Sequence, residues 1–172
     1  MILEMATLVF FPGLMVFAAF SDLFTMTISN RVSIALIVIF CVLAYATQMP
    51  LNEFGLHFAC AFAVLAGTFT LFAFGWIGGG DAKLCAATAL WLGWDHLADY
   101  GLLTALLGGG LTLFLLQIRK WPLPRWLCAQ QWVARLHDRN SGVPYGIALA
   151  IAGLVIYPDT GIWLSTASLP GV

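Results

Sequence analysis

Six long apolar runs separated by short polar breaks dominate the chain, at residues 5–21, 32–47, 54–74, 82–94, 100–118 and 143–163. A continuous apolar run of about 17–25 residues, coiled as an α-helix, matches the hydrocarbon thickness of a bilayer. Because the runs do not alternate, a strand-built barrel is disfavoured. Of the 172 residues, 62% are hydrophobic and 9% charged, against about 25% charged in a soluble domain. Too few charges remain to clothe a water-facing surface. That excludes an ordinary cytosolic enzyme, a disordered tail and a nucleic-acid-binding domain, which needs a basic face. The expectation is an all-α, polytopic membrane protein with six transmembrane helices, forming one membrane-embedded domain over residues 1–172. Only Glu4, and no Lys or Arg, precedes the first run, so it reads as a retained helix rather than a cleaved signal. The fourth run is short and must tilt, thin the bilayer or begin in its glycine-rich approach.

Charge placement sets the expected orientation. In the six-helix arrangement all seven basic residues, Arg31, Lys83, Arg119, Lys120, Arg125, Arg135 and Arg139, fall on one side. The other side carries Glu4, Glu53, Asp95, Asp99 and Asp159 and no Lys or Arg. The positive-inside rule makes the basic side cytoplasmic and puts both termini outside. The long cytoplasmic connection, 119–142, contains a segment at 124–138 that reads as an amphipathic helix on the membrane surface. Trp121, Trp126 and Trp132 are its expected anchors. The ladder Ala59, Ala63, Gly67 and the triplet Gly108-Gly109-Gly110 read as sites of close helix packing. Cys41, Cys60, Cys85 and Cys128 form no CxxC pair, and neither a zinc knuckle nor a disulfide framework is expected.

Three acids remain on the basic side. Asp138 sits among Arg135, His137 and Arg139 and reads as a solvated charge. Asp22 closes the first apolar run, and Asp81 follows Gly78-Gly79-Gly80 and opens the fourth. Both therefore lie at one membrane depth on one face, where an ionisable group beside hydrocarbon is a candidate functional residue. Singly, each also reads as a helix-end residue, Asp81 as an N-cap and Asp22 as the organiser of a turn before a cap at Asn30. Two such carboxylates together suit water-mediated peptide hydrolysis. They share a proton, the ionised member takes a proton from water, and the protonated member polarises the scissile carbonyl. Packing of the first and fourth helices must assemble the pair. Other protease chemistries find no footing: there is no HExxH, His57, His96 and His137 are scattered, and Ser141 lacks a nucleophile turn. No metal is expected. The competing reading is a small transporter, or an inactive assembly scaffold, in which the two acids are structural caps.

The motifs themselves are similar to those of a known family. Gly78-Gly79-Gly80-Asp81-Ala82-Lys83-Leu84 resembles the GxGDxKL element of the type IV prepilin peptidases, membrane aspartic proteases of the GxGD class. Asp22 through Ile28-Ser29-Asn30 resembles the family's Asp followed by Ile-Pro-Asn, with Ser29 in place of the usual proline. Val143-Pro144-Tyr145-Gly146 resembles the Pro-Tyr-Gly segment that opens the last helix. The resemblance implies that Asp22 and Asp81 are the catalytic pair and that Gly78 and Gly80 shape the active-site turn. It marks Lys83, Asn30, Pro144 and Tyr145 as candidate substrate or lipid contacts. For Lys83 two roles stay open: holding Asp81 ionised, or meeting lipid phosphate or substrate. The implied substrates are prepilins, namely Flp-type pilin and pseudopilins, cleaved after a basic leader at the cytoplasmic face of the bacterial inner membrane. The six-helix form resembles the short tight-adherence (Flp) branch. The paired CxxC motifs that accompany N-methylation in bifunctional members do not occur, so the resemblance implies a peptidase without methyl donor or other cofactor.

Overall fold

The computed structural model describes residues 2–122 and 124–167, and these contain helices and turns but no strand. Helix α1 spans Ile2–Thr25, α2 Asn30–Ala46, α3 Leu51–Ala73, α4 Gly79–Leu92 and α5 Leu97–Ile118. Two short helices follow, α6 (Arg125–Cys128) and α7 (Gln131–His137). Then come α8 (Tyr145–Ile156), a 3-10 turn at Tyr157–Asp159 and α9 (Gly161–Ala167).

Three stretches are long and apolar enough to cross a bilayer, Leu8–Thr25, Leu51–Ala73 and Leu97–Ile118; Asn30–Ala46 and Tyr145–Asp159 are apolar but shorter. On α3 and α5, Phe62, Phe69, Leu102, Leu106 and Leu113 point outward, each at least 60% exposed. So large an outward apolar surface is untenable in water and natural in lipid. Helix α4 is the converse. Nine of its 14 residues are buried, among them Leu84, Leu90 and Trp91, because α2, α3 and α8 all pack against it. A helix apolar on every side belongs in the centre of a bundle, which accounts for a fourth run shorter than a bilayer is thick.

An aromatic cluster ties the bundle together at one end. Phe11 lies 4.2 Å from Tyr157 and 5.0 Å from Trp91 between ring centroids, and Phe40 is 5.8 Å from Trp91. The Trp91 indole N–H, which needs an acceptor once buried, donates to the Leu36 carbonyl at 3.1 Å.

Several sequence expectations change. The last apolar run does not continue as one helix to residue 163. Pro158 cannot donate to a helical ladder and its ring crowds the preceding turn, so the chain leaves α8 through the 3-10 turn and restarts as α9. The segment 124–138 is two helices, because Gln130 adopts extended backbone between them. The bend brings α7 onto the ends of α1 and α5. There Trp132 packs edge-on against Phe24 at 5.4 Å and Arg135 donates to the Phe24 carbonyl at 3.0 Å, whereas Trp121 and Trp126 are exposed. Ala59, Ala63 and Gly67 face outward. Of the triplet only Gly108 meets a neighbour, the Tyr145 ring, while nothing lies near Gly109 or Gly110.

Arg119 is no surface charge either. It is 7% exposed and donates through Nε to the Leu136 carbonyl and through Nη2 to the Gly142 carbonyl, both at 2.8 Å. One guanidinium thus holds both ends of the segment that returns the chain to α8. Arg119→Met strands two carbonyls and is expected to cost about 2–4 kcal/mol. The exposed Arg139→Met should stay within about 0.5 kcal/mol. Thermal unfolding in detergent measures both; equal midpoints would mean that other contacts hold the loop.

Candidate active site

Helices α1 and α4 run antiparallel in a register fixed by two contacts. Phe11 meets Trp91, and the Thr88 hydroxyl, which donates to the Leu84 carbonyl at 2.9 Å, lies against the Met15 sulfur at 3.8 Å. Asp22 lies seven residues beyond Met15, and Asp81 seven residues before Thr88. Seven residues are about two helical turns and return to nearly the same face. The two aspartates therefore stand at one level, at the end of the bundle away from the aromatic cluster. They are near enough for Asp22 to act electrostatically on Asp81.

The α1 and α4 backbones do not pack directly into this pair; α8 lies against both. A Cβ on Gly153 would sit 3.1 Å from Thr88 Cγ2, 3.6 Å from Phe11 Cζ and 3.8 Å from Met15 Sδ. A Cβ on Gly146, seven residues earlier on the same face, would sit 2.8 Å from Asp22 Oδ2 and 2.7 Å from Ile28 Cδ1. Two glycines on one face of α8 thus leave space where the side chains of α1 and α4 converge.

Asp22 is 5% exposed, and its Oδ2 accepts the Gly146 N–H at 2.7 Å. It lies in the last turn of α1 yet caps a different helix, since Gly146 is the second residue of α8, whose first N–H groups have no partner within the helix. The connection after Asp22 is held tightly. Met26 takes the left-handed conformation (φ 56°) and its N–H returns to the Asp22 carbonyl at 2.8 Å, an αL helix stop. Ser21 Oγ reaches the Thr27 carbonyl at 2.9 Å. Ile28 then wedges between α4 and α8, 3.2 Å from where a Gly80 Cβ would lie. Ser29, in the position expected to hold proline, has φ −66°, the value proline fixes. Its Oγ accepts from the Arg31 N–H at 3.3 Å and so caps α2. The expected cap, Asn30, is instead the first residue of α2.

Asp81 is not the N-cap of α4. Gly78 is the cap, and Asp81 occupies the third helical position with its Oδ2 close to Gly78, where the acidic residue of a capping box stands. A Cβ on Gly78 would lie 2.9 Å from Asp81 Oδ2. The other oxygen, Asp81 Oδ1, is buried and has no hydrogen-bond partner among the described residues. Lys83 turns away from the pair and donates to Asn30 Oδ1 at 2.9 Å. Pro144 is buried ahead of α8, and Tyr145 packs on Gly108 of α5 rather than on the aspartates. No cluster of three or more His, Cys, Asp or Glu suited to a metal ion occurs among the described residues. His57 bonds to the Leu90 carbonyl at 2.7 Å.

Two residues of the site are not singled out in the sequence reading as functional, Gly146 and Ile28. Both stand inside the quoted motifs, and that is the signal that could have found them.

No curated protein and no solved structure matches the chain. The sequence model of the type IV leader peptidase family matches residues 9–113, which include both aspartates, Gly78, Gly80 and the connection through Ile28, while Gly146 lies beyond the match. With that match across more than half its length, the chain belongs to the type IV leader peptidase family and is an aspartic-type prepilin peptidase.

Proposed function

We propose that Asp22 and Asp81 are the catalytic carboxylates, and that they cut the basic leader from Flp-type prepilins at the cytoplasmic face of the bacterial inner membrane. One observation carries the reading: two acids from distant parts of the chain stand at one level, where Asp81 keeps a buried oxygen without a hydrogen-bond partner among the described residues. In the reaction one aspartate is ionised and the other protonated. The ionised carboxylate takes a proton from water as the water oxygen attacks the scissile carbonyl carbon. The protonated carboxyl donates a hydrogen bond to the carbonyl oxygen, on which charge develops. Collapse of the tetrahedral intermediate breaks the C–N bond, and the departing amine takes up the proton. The pair titrates as a unit. Six membrane-crossing segments with both termini outside, in one peptidase domain, are supported by the seven-to-none partition of basic residues. That orientation puts the aspartates in the compartment that holds a basic leader.

The test is a mobility-shift assay in membranes, with this protein co-expressed with a small Flp-type prepilin. Leader loss with the wild type, abolished by Asp22→Asn and by Asp81→Asn in membrane-inserted protein, is the expected result. Cleavage that survives either change would move the chemistry elsewhere.

A further inference from the structure

Lys83 and Asp81 stand two residues apart on α4, about 200° around the helix, so Lys83 faces away from the aspartates. Lys83, Ala86, Ala87 and Leu90 follow one another at helical spacing and form the floor of a groove of about 340 Å³ between α2, α3 and α4, within the size range of small-molecule sites. Its walls are apolar, from Ile34, Ile37, Phe58, Phe62 and Leu65. Ile34 is 59% and Phe62 65% exposed, so the groove opens sideways, where the acyl chains of a bilayer would lie.

One end is polar. Lys83 Nζ is exposed there, with the neutral amide oxygen of Asn30 as its partner at 2.9 Å. An ammonium carries three donors, and the described residues place no carboxylate on the other two. One turn along α2 from Asn30, Ser33 also lines the groove. It is 6% exposed, and its Oγ has no hydrogen-bond partner among the described residues. A buried hydroxyl left unpaired is costly, and along α2 this one stands between Asn30, beside Lys83, and Ile37 on the apolar wall.

We propose that this groove binds one glycerophospholipid with an anionic headgroup. Its phosphate meets Lys83 and an ester carbonyl accepts the Ser33 hydroxyl. One acyl chain lies against Ile34, Ile37, Phe58 and Phe62. The order of chemistry along the groove, from cation to lone hydroxyl donor to hydrocarbon wall, is the order of phosphate, ester and chain in such a lipid. A prepilin segment seated here would lie on the wrong side of α4 from both aspartates. The proposal is independent of which residues cut the substrate.

Native mass spectrometry of delipidated protein in detergent tests it, with phosphatidylglycerol or phosphatidylcholine added and thermal unfolding measured alongside. Wild type should retain one phosphatidylglycerol in preference to phosphatidylcholine. Lys83→Met should lower phosphatidylglycerol retention about tenfold and remove the preference, and Lys83→Arg should restore it. Ser33→Ala, which keeps the fold, should weaken both lipids by about threefold to tenfold. Equal retention by wild type and both Lys83 and Ser33 variants would overturn the proposal. So would equal stabilisation by inorganic phosphate, which would leave only an anion site. Displacement of the lipid by a prepilin peptide, or by self-association of the protein, would assign the groove to that occupant instead.

Discussion

Asp22→Asn or Asp81→Asn is expected to slow prepilin cleavage by at least about 10³-fold while changing thermal stability by no more than about 1 kcal/mol. The two effects separate because each carboxylate does two things. Asp22 Oδ2 accepts the Gly146 N–H at the start of α8, and Asp81 stands in the first turn of α4 with its Oδ2 beside Gly78. Asparagine keeps a carbonyl oxygen at both positions and cannot take a proton from water. Alanine removes both functions, so Asp22→Ala should lose activity and also about 1–2 kcal/mol of stability through the lost cap. Leader processing read by mobility shift, with unfolding midpoints of the same preparations, distinguishes the roles. Asparagine variants that cut prepilin at the wild-type rate would leave the aspartates as caps alone. Variants that both fail to cut and fail to fold would show the caps to dominate.

The broad architecture is legible because hydrophobic run length is a direct statement about the solvent. Asp22 and Asp81 are legible for a related reason: a carboxylate beside hydrocarbon is costly enough that its position carries information. What escapes is whatever depends on the neighbour across a helix interface. Run length leaves α4 looking too short, and only its enclosure by α2, α3 and α8 gives that length a reason. Arg119 is in sequence one of seven basic residues that mark a side of the membrane, yet it is buried against two carbonyls more than fifteen residues away in the chain. Lys83 has two readings until Asn30, from another helix, is seen to take its ammonium. The caps go astray by small register shifts, Ser29 for Asn30 and Gly78 for Asp81, because several residues at each helix start can cap. Glycines are the hardest of all. The outward ladder on α3 and the Gly108 triplet stand out by their spacing, but spacing says nothing of what stands opposite.

Gly146 is where the opposite side matters most, and Gly146→Ala is expected to cut activity by about 10²-fold and to cost about 1–3 kcal/mol. The added methyl would fall 2.8 Å from Asp22 Oδ2, 3.0 Å from Asp22 Cβ and 2.7 Å from Ile28 Cδ1. All three lie far inside van der Waals contact, and the Asp22 side chain cannot yield freely because its carboxylate is bound to the Gly146 N–H. Either α8 retreats, which also loosens Gly153 from Thr88 and Met15, or Asp22 shifts from its level with Asp81. A displacement of about 1 Å is enough for a loss of that size. Ile28→Val removes Cδ1, the closest of the three clashing atoms. In the double variant Gly146→Ala with Ile28→Val, stability should therefore recover more than activity, since the contact with Asp22 remains. Cleavage rates and unfolding midpoints for the two single variants and the double give the coupling energy, expected to be at least about 0.5 kcal/mol for groups in contact. Strict additivity would mean that Ile28 and Gly146 do not share the space beside Asp22. By contrast Gly109→Ala, on α5 with nothing within 4 Å, should leave cleavage unchanged and raise stability by up to about 1 kcal/mol, the helix propensity of alanine, so that any loss at residue 146 belongs to the contact with Asp22 and Ile28.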